Sequence, residues 1–211
     1  MFAYCLNNPV IAKDSGGGVP ICCVMVQDGS SSGKPITEVF SSFSELSITV
    51  GPSTVVIDAY IVFEGDIDAD TLIQGIKDYW EGEYDFSTGT KSVTVNIHCG
   101  TTSDGRAIFV NTIDGKGISK TWSAFRNKTI SNVEIYSIYK SENYESENDI
   151  GWVMAHEFGH CLGIDDYYTL LNQGIVSTDL CSIMNRTGTH AQSWDIYMAI
   201  WASQYGEWQR W

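Results

Sequence analysis

The chain has 211 residues, of which 43% are hydrophobic and 12% aromatic, so it can bury a sizeable core and is not expected to be disordered. It carries 26 acidic and 12 basic residues, a formal net charge of −14, with no cluster of lysines and arginines. This balance disfavours nucleic acid and anionic membranes as partners. No run of about 18 apolar residues is present, so membrane insertion is not expected.

The start of the chain and its cysteines add two further constraints. The first twenty residues lack the basic start and apolar stretch of a signal peptide, so we expect that any export depends on something else. The six cysteines are scattered and include no C-x-x-C pair, which disfavours a disulfide scaffold and a cysteine zinc knuckle. The sequence leaves open whether Cys161 and Cys181 form a disulfide.

The chain divides into three predicted parts. Residues 1–18 differ in character from the rest of the chain, and residues 19–52 include a stretch rich in Gly, Ser and Pro that is typical of a loop or linker. Regular structure is predicted to begin near Ser53. We therefore expect a remnant of a preceding segment over 1–18, a junction over 19–52 and one folded domain over 53–211.

The predicted domain begins with a strand over residues 54–63, which are β-branched and aromatic. A helix follows, because four apolar residues share one helical face: Leu72, Ile73, Ile76 and Trp80. Alternate aspartates over 66–70 suggest a calcium loop, but Thr71 stands where an EF-hand needs glycine and Lys77 where it needs glutamate. We interpret these aspartates as the cap and favourable charges of a helix N-terminus.

The second half of the domain contains further strands and two helices. Strands are predicted over 92–99, 106–113 and 132–139, with a short edge strand within 117–122. An apolar face predicts a helix at about 149–162. A later stripe at helical spacing predicts core packing: Trp194, Tyr197, Met198, Trp201, Tyr205 and Trp208.

The helix predicted at 149–162 carries the start of the sequence HEFGHCLGIDD. His156 and His160 lie one turn apart and project in nearly the same direction, so their imidazoles can bind one zinc ion at about 2.0–2.1 Å. Glu157, next to the first histidine, is placed to act as a base. Gly163 ends the helix, because glycine tolerates the left-handed conformation of a chain reversal.

The residues alone leave the third ligand open. Asp165 and Asp166 both follow the reversal, and helix geometry does not choose between them. His190 is a competing ligand. His98, in a predicted strand, is interpreted as structural.

The pattern H-E-x-x-H-x-x-G-x-x-D resembles the extended motif of the metzincin metallopeptidases, and its final aspartate resembles the snapalysin group. The resemblance covers residues 53–211 and implies that Asp166 is the third zinc ligand. It also implies that Met184, in the sequence SIMN, forms a methionine turn under the histidines. The implied fold class is α+β: a metzincin-like twisted mixed β-sheet with an active-site helix, the Met-turn and a C-terminal helix.

The chain departs from this family at one position. Some metzincins have a tyrosine two residues after the methionine, where this chain has Arg186. Tyr167 or Tyr168 is a candidate source of a comparable phenol. His190 is a candidate for contacting substrate or supporting the ligands.

Residues 1–18 carry a second resemblance, to the end of an RHS-repeat core. Its closing pattern of Tyr, Asn-Asn-Pro and Asp-Pro-x-Gly is matched by Tyr4, Asn7, Asn8, Pro9, Asp14 and Gly17. Ser15 replaces the proline of that pattern. In this family the core forms a shell around a variable C-terminal toxin, often released by self-cleavage near the signature. The resemblance implies a toxin domain of a larger bacterial protein, delivered into target cells and blocked by a cognate immunity protein.

Together these features predict a zinc-dependent endopeptidase that is secreted or delivered as an RHS toxin domain and cleaves a protein or peptide substrate. Glu157 is predicted to take a proton from water and pass it to the leaving amine. One alternative is a zinc amidase or deacetylase acting on a non-protein amide. Another is a non-catalytic binding domain stabilised by zinc, in which His190 or a cysteine closes the site.

Overall fold

The computed structural model describes residues 37–141, 144–147, 149–167, 181–185 and 189–209. Within this part of the chain, nine strands form one open mixed sheet and four helices pack against it, compatible with the predicted α+β class. The strands are β1 (Glu38–Phe43), β2 (Leu46–Val50), β3 (Thr54–Gly65), β4 (Gly82–Phe86), β5 (Gly89–Cys99), β6 (Ile108–Gly117), β7 (Lys120–Trp122), β8 (Asn132–Ser141) and β9 (Tyr144–Glu147). The helices are α1 (Ala69–Trp80), α2 (Ala124–Asn127), α3 (Ile150–Cys161) and α4 (Ser193–Tyr205).

Strand β3 is the centre of the sheet. Along one edge it pairs in parallel with β5, whose other edge carries the antiparallel strand β4. Along its opposite edge it pairs first with the antiparallel strand β2 and then with the parallel strand β6. Strand β8 continues the sheet in parallel beyond β6, and β7 and β9 both run antiparallel to β8. Strand β7 lies at one edge of the sheet, and α3 packs next to it.

The core lies between the sheet and the helices. Alternate residues of β3, namely Val55, Ile57, Ala59 and Ile61, are fully buried, as the period of two in a strand requires. Leu72, Ile76 and Trp80 of α1 belong to the same cluster. The indole Nε1 of Trp80 donates to the Ala155 carbonyl of α3 at 2.8 Å, which ties the two helices together.

Helices α1 and α3 approach each other backbone to backbone. A Cβ atom built on Gly75 would lie 2.3 Å from the Cα of Gly151, so only glycine fits at this crossing. Aspartates cap both helices: Asp68 accepts from the Thr71 amide at 3.1 Å and Asp149 from the Trp152 amide at 3.0 Å. The prediction that the aspartates before α1 cap a helix is confirmed for Asp68.

The main predicted elements are confirmed, with some corrections. In the described part of the chain, β1 and β2 precede Ser53, so the prediction that regular structure starts near Ser53 is wrong. Residues 19–52 were expected to form a junction, but Leu46, Ile48 and Val50 alternate into the core and β2 pairs along β3. Strands β4 and β9 were not predicted, because their charged sequences carry little alternation.

The aromatic stripe near the C-terminus faces the core less than predicted. Met198 is buried, but Tyr205 is 55% exposed and Trp208 lies beyond the end of α4. The buried face of α4 consists instead of smaller side chains: Ile196, Ala199, Ile200 and Ala202. Residues 1–36, which include the RHS-like signature, lie outside the described residues. In the described part of the chain, every helix falls short of the length and apolar character that crossing a membrane requires.

Candidate metal centre

Helix α3 presents two histidines toward one point. His156 and His160 are each 8% exposed, and their ring centroids lie 5.0 Å apart. This is the result of their spacing, since residues four apart lie on the same face of a helix. Helix α3 itself is held by its Asp149 cap and by the buried side chains Met154 and Phe158.

Backbone carbonyls orient both imidazoles. His156 donates from Nδ1 to the Ile183 carbonyl at 2.8 Å, and His160 donates from Nδ1 to the Ile164 carbonyl at 2.7 Å. A carbonyl can only accept a hydrogen bond, so Nδ1 carries the proton. In the neutral form of each ring, which is the form that binds a metal, Nε2 therefore carries the lone pair. Such hydrogen bonds fix the tautomer and ring orientation that metal-binding histidines need.

Gly163 reverses the chain after α3, as predicted from its sequence position. Its φ is +92°, and a Cβ there would lie 2.5 Å from the Ala202 side chain. The Gln209 amide donates to the Gly163 carbonyl at 2.7 Å, and the Asp165 amide donates to the Gln209 carbonyl at 2.9 Å. The returning segment is therefore pinned to the C-terminal part of the chain, which places the next residue, Asp166, over the histidines.

Asp166 completes a cluster of three ligand atoms. Its Oδ1 lies 3.2 Å from Nε2 of His156 and 3.3 Å from Nε2 of His160. Among the described residues, these three form the one group of histidine, cysteine or acidic side chains whose ligand atoms all lie within 4.8 Å of one another. Zinc–ligand distances of about 2.1 Å in a tetrahedron separate the ligand atoms by about 3.4 Å, so this donor set fits a zinc ion.

In this cluster, the ionised carboxylate of Asp166 and the charged form of His160 stabilise each other. Burial lowers the pKa of His160, but the hydrogen bond and charge of Asp166, together with Glu157 and the Ile164 carbonyl, outweigh it and raise that pKa to about 9. Burial raises the pKa of Asp166, but the two histidines hold it well below its usual range. In the metal-free protein, Asp166 is therefore ionised, and a cation is favoured at this point.

A tight turn lies against the histidine helix. The Asn185 amide donates to the Ser182 carbonyl at 3.0 Å, which closes a turn around Ile183 and Met184. Met184 is fully buried, and a Cβ built on Gly159 would lie 2.3 Å from its Sδ. Met184 thus packs on α3 between the two histidines, where a methionine turn was expected. Its carbonyl also accepts from the Tyr167 amide at 3.0 Å, next to Asp166.

Asp195 holds this turn against α4. It is fully buried and accepts from the Ser182 hydroxyl at 2.8 Å and from the Gln192 amide at 2.7 Å. The same Ser182 hydroxyl accepts from the Met184 amide at 3.0 Å. Burial raises the pKa of Asp195 to about 7, against the opposing effect of its hydrogen bonds. Asp195 was not predicted from the sequence, although it stands three residues after Gln192 in a capping box.

Glu157 is 5% exposed and lies beside the cluster. Its Oε2 accepts a hydrogen bond of 2.6 Å from the Thr121 hydroxyl on β7. Thr121 was not predicted either, because nothing in a three-residue strand marks one threonine as a partner of a residue in a distant helix.

Two tryptophans cover the outer faces of the ligand rings. Trp152 stacks on His156 with 5.1 Å between ring centroids, and Trp208 stacks on His160 with 5.8 Å. Neither was predicted as a neighbour of the site. Trp152 could have been found, since it precedes His156 by one helical turn, whereas Trp208 reaches His160 only through the path of the chain after α4.

The remaining candidate residues fall elsewhere. His190 is exposed and its ring lies 5.0 Å from that of Tyr79, and it is not part of the cluster. His98 lies 3.1 Å from Asp58 on the outer face of the sheet. Tyr168 and Arg186 lie outside the described residues. Cys161 and Cys181 are not joined by a disulfide.

Comparisons of the chain with protein-family models, with curated proteins and with solved structures gave no match. The functional proposal therefore rests on the motif and on the geometry described above.

Proposed function

We propose that this protein is a zinc-dependent endopeptidase of metzincin type. The observation that carries the proposal is the convergence of His156, His160 and Asp166, with the buried carboxylate of Glu157 beside them. Three protein ligands with a neighbouring acid or base are typical of catalytic zinc sites, whereas structural sites use four protein ligands. Within the described residues, neither His190 nor a cysteine joins the cluster.

Each residue has a distinct role in this proposal. His156 and His160 would bind the zinc through Nε2, and Asp166 through Oδ1. When bound, the metal supplies Lewis acidity that polarises the substrate carbonyl and acidifies water. Glu157 accepts a proton from the attacking water and returns it to the leaving amine as the peptide bond breaks. Met184 supports the histidines from below and makes no bond to the metal.

We also propose that the peptidase is the toxin domain of an RHS-repeat protein, delivered into a target cell and blocked by an immunity protein. This part rests on the signature of residues 1–18 and on no structural feature. An acidic chain of net charge −14 suits a basic inhibitor surface.

The test measures zinc content and casein cleavage for the wild type, Glu157→Gln and the control Glu83→Gln, whose glutamate is exposed on β4. We expect about one zinc per chain in all three and cleavage by the wild type and the control only. Zinc in all three with no cleavage by any would favour the non-catalytic, zinc-stabilised domain. A wild type purified without chelator that contains no zinc would overturn the proposal.

A further inference from the structure

The residue that contacts the Glu157 carboxylate comes from the sheet. Thr121 is the middle residue of β7, between the exposed residues Lys120 and Trp122, and its half-buried side chain faces α3. Its Oγ1 lies 2.6 Å from Oε2 of Glu157 and 3.3 Å from the Glu157 carbonyl oxygen. The hydroxyl has one hydrogen, and the shorter distance assigns it to the carboxylate.

A buried carboxylate needs such a donor, since an unsatisfied buried charge is costly. Among the described residues, no other group donates a hydrogen bond to the Glu157 carboxylate. Thr121 engages Oε2, which leaves Oε1 as the oxygen that can exchange a proton. Helix α3 sets the Cα of Glu157, but its side chain has three rotatable bonds that the helix does not fix.

Strand β7 is held firmly enough to impose this position. Lys120 forms a 3.0 Å ion pair with Glu134 of β8, and Thr121 itself pairs with Val133 in the antiparallel ladder. Directly after the strand, Ser123 caps α2, and the Ala124 amide donates to the Ser131 hydroxyl at 2.9 Å. The Thr121 hydroxyl therefore has a fixed position from which it can orient the Glu157 side chain.

We propose that Thr121 is a positioning residue for the general base of this site. It restricts Glu157 to one rotamer and directs Oε1 toward the reacting water. This inference rests on the proposed peptidase function and assigns a role to an edge-strand residue outside the metal motif. The hydrogen bonds of the Thr121 hydroxyl go to Glu157 and not to a metal ligand, so its removal acts on proton transfer and not on zinc binding.

The experiment compares Thr121→Val, which keeps the shape and loses the hydroxyl, with Thr121→Ser, which keeps the hydroxyl. Thr90→Val is the matched control, because Thr90 of β5 makes a comparable 2.8 Å hydrogen bond to Asp85, its cross-strand partner on β4. Casein-derived peptide cleavage is measured as kcat and KM separately, together with zinc content. We expect Thr121→Val to lower kcat about ten- to a hundred-fold with unchanged KM and zinc content. Thr121→Ser should recover most of the wild-type kcat.

A second readout is independent of activity. In metal-free protein, a double-mutant cycle of Thr121→Val with Glu157→Ala measures whether the two losses in thermal midpoint are additive. We expect a non-additive cycle, since either change alone breaks the same hydrogen bond. Additive losses would show that the contact is absent and would overturn the inference.

The outcomes separate this inference from the proposed function. An active wild type with an equally active Thr121→Val overturns the positioning role and leaves the peptidase intact. A loss of kcat that Thr121→Ser does not recover also overturns it, because the hydroxyl would then not be the cause. A wild type that binds zinc and cleaves nothing overturns the peptidase, and the positioning role with it, even if the cycle shows the contact.

Discussion

The Nδ1 of His156 donates to the Ile183 carbonyl over 2.8 Å, although the two residues are separated by 27 positions in the chain. Through this bond, the turn that contains Met184 orients an imidazole of α3. Asp195 holds that turn through the Ser182 hydroxyl. The direction of one ligand ring thus depends on three separate parts of the chain.

Removal of the Asp166 carboxylate should abolish tight zinc binding. Asp166→Ala deletes the ligand atom that lies within 3.3 Å of both Nε2 atoms, and we expect the zinc affinity to fall by more than about a hundred-fold, beyond the loss seen for supporting residues. The measurement is competition with a chromophoric chelator.

The control is Asp165→Ala, which removes a neighbouring carboxylate. Asp165 lies outside the three-residue cluster, so this change should cost much less affinity than Asp166→Ala, although it removes a 2.9 Å hydrogen bond to the Asp166 amide. The opposite ranking, with Asp165→Ala losing zinc and Asp166→Ala retaining it, would contradict the assignment of the third ligand.

Substitution of Gly75 by alanine should destabilise the protein, although alanine is the better helix former by about 1 kcal/mol. The new Cβ would lie 2.3 Å from the Cα of Gly151, and helix backbone cannot yield as a flexible side chain can. We expect a loss of about 1–3 kcal/mol or more in the free energy of unfolding. Urea unfolding of the metal-free protein is the measurement.

Gly115→Ala serves as the comparison, since its Cβ would meet nothing closer than an Ile113 methyl at 3.6 Å. Equal urea midpoints for Gly75→Ala and Gly115→Ala would show that α1 and α3 do not cross at Gly75 and Gly151.

The stability of the fold should depend on pH through Asp195. Burial raises its pKa to about 7, so the folded protein keeps a proton that the unfolded chain releases near pH 4. The contribution is fully present below about pH 4 and is lost as pH rises toward 7. The slope approaches about 1.4 kcal/mol per pH unit.

The difference in unfolding free energy between wild type and Asp195→Asn, measured from about pH 4 to 8 in chelator, isolates this contribution. We expect the wild type to lose stability relative to the variant up to about pH 7, with no further change above it. Asp114→Asn, at an exposed position, is the matched control. A flat difference for Asp195→Asn would mean that its carboxyl is ionised throughout.

Features that depend on neighbours in the chain were readable from the sequence. The spacing of His156 and His160 places them on one face of a helix, because the helical period is a property of the local backbone. The same holds for the Asp68 cap and for the alternating residues of β3, whose burial follows from the period of a strand. Gly163 likewise marked the chain reversal.

Only the tertiary structure decided which groups meet at the site. Asp165 and Asp166 are equivalent by local geometry, and the choice comes from the bonds that pin Gly163 and Asp165 to Gln209. Thr121 reaches Glu157 because β7 pairs with β8 in one register and α3 packs beside it. A contact of this kind depends on the positions of two elements that are distant in sequence, and no local pattern encodes it. For the same reason β1 and β2 were not predicted, since their place in the sheet comes from pairing with each other and with β3.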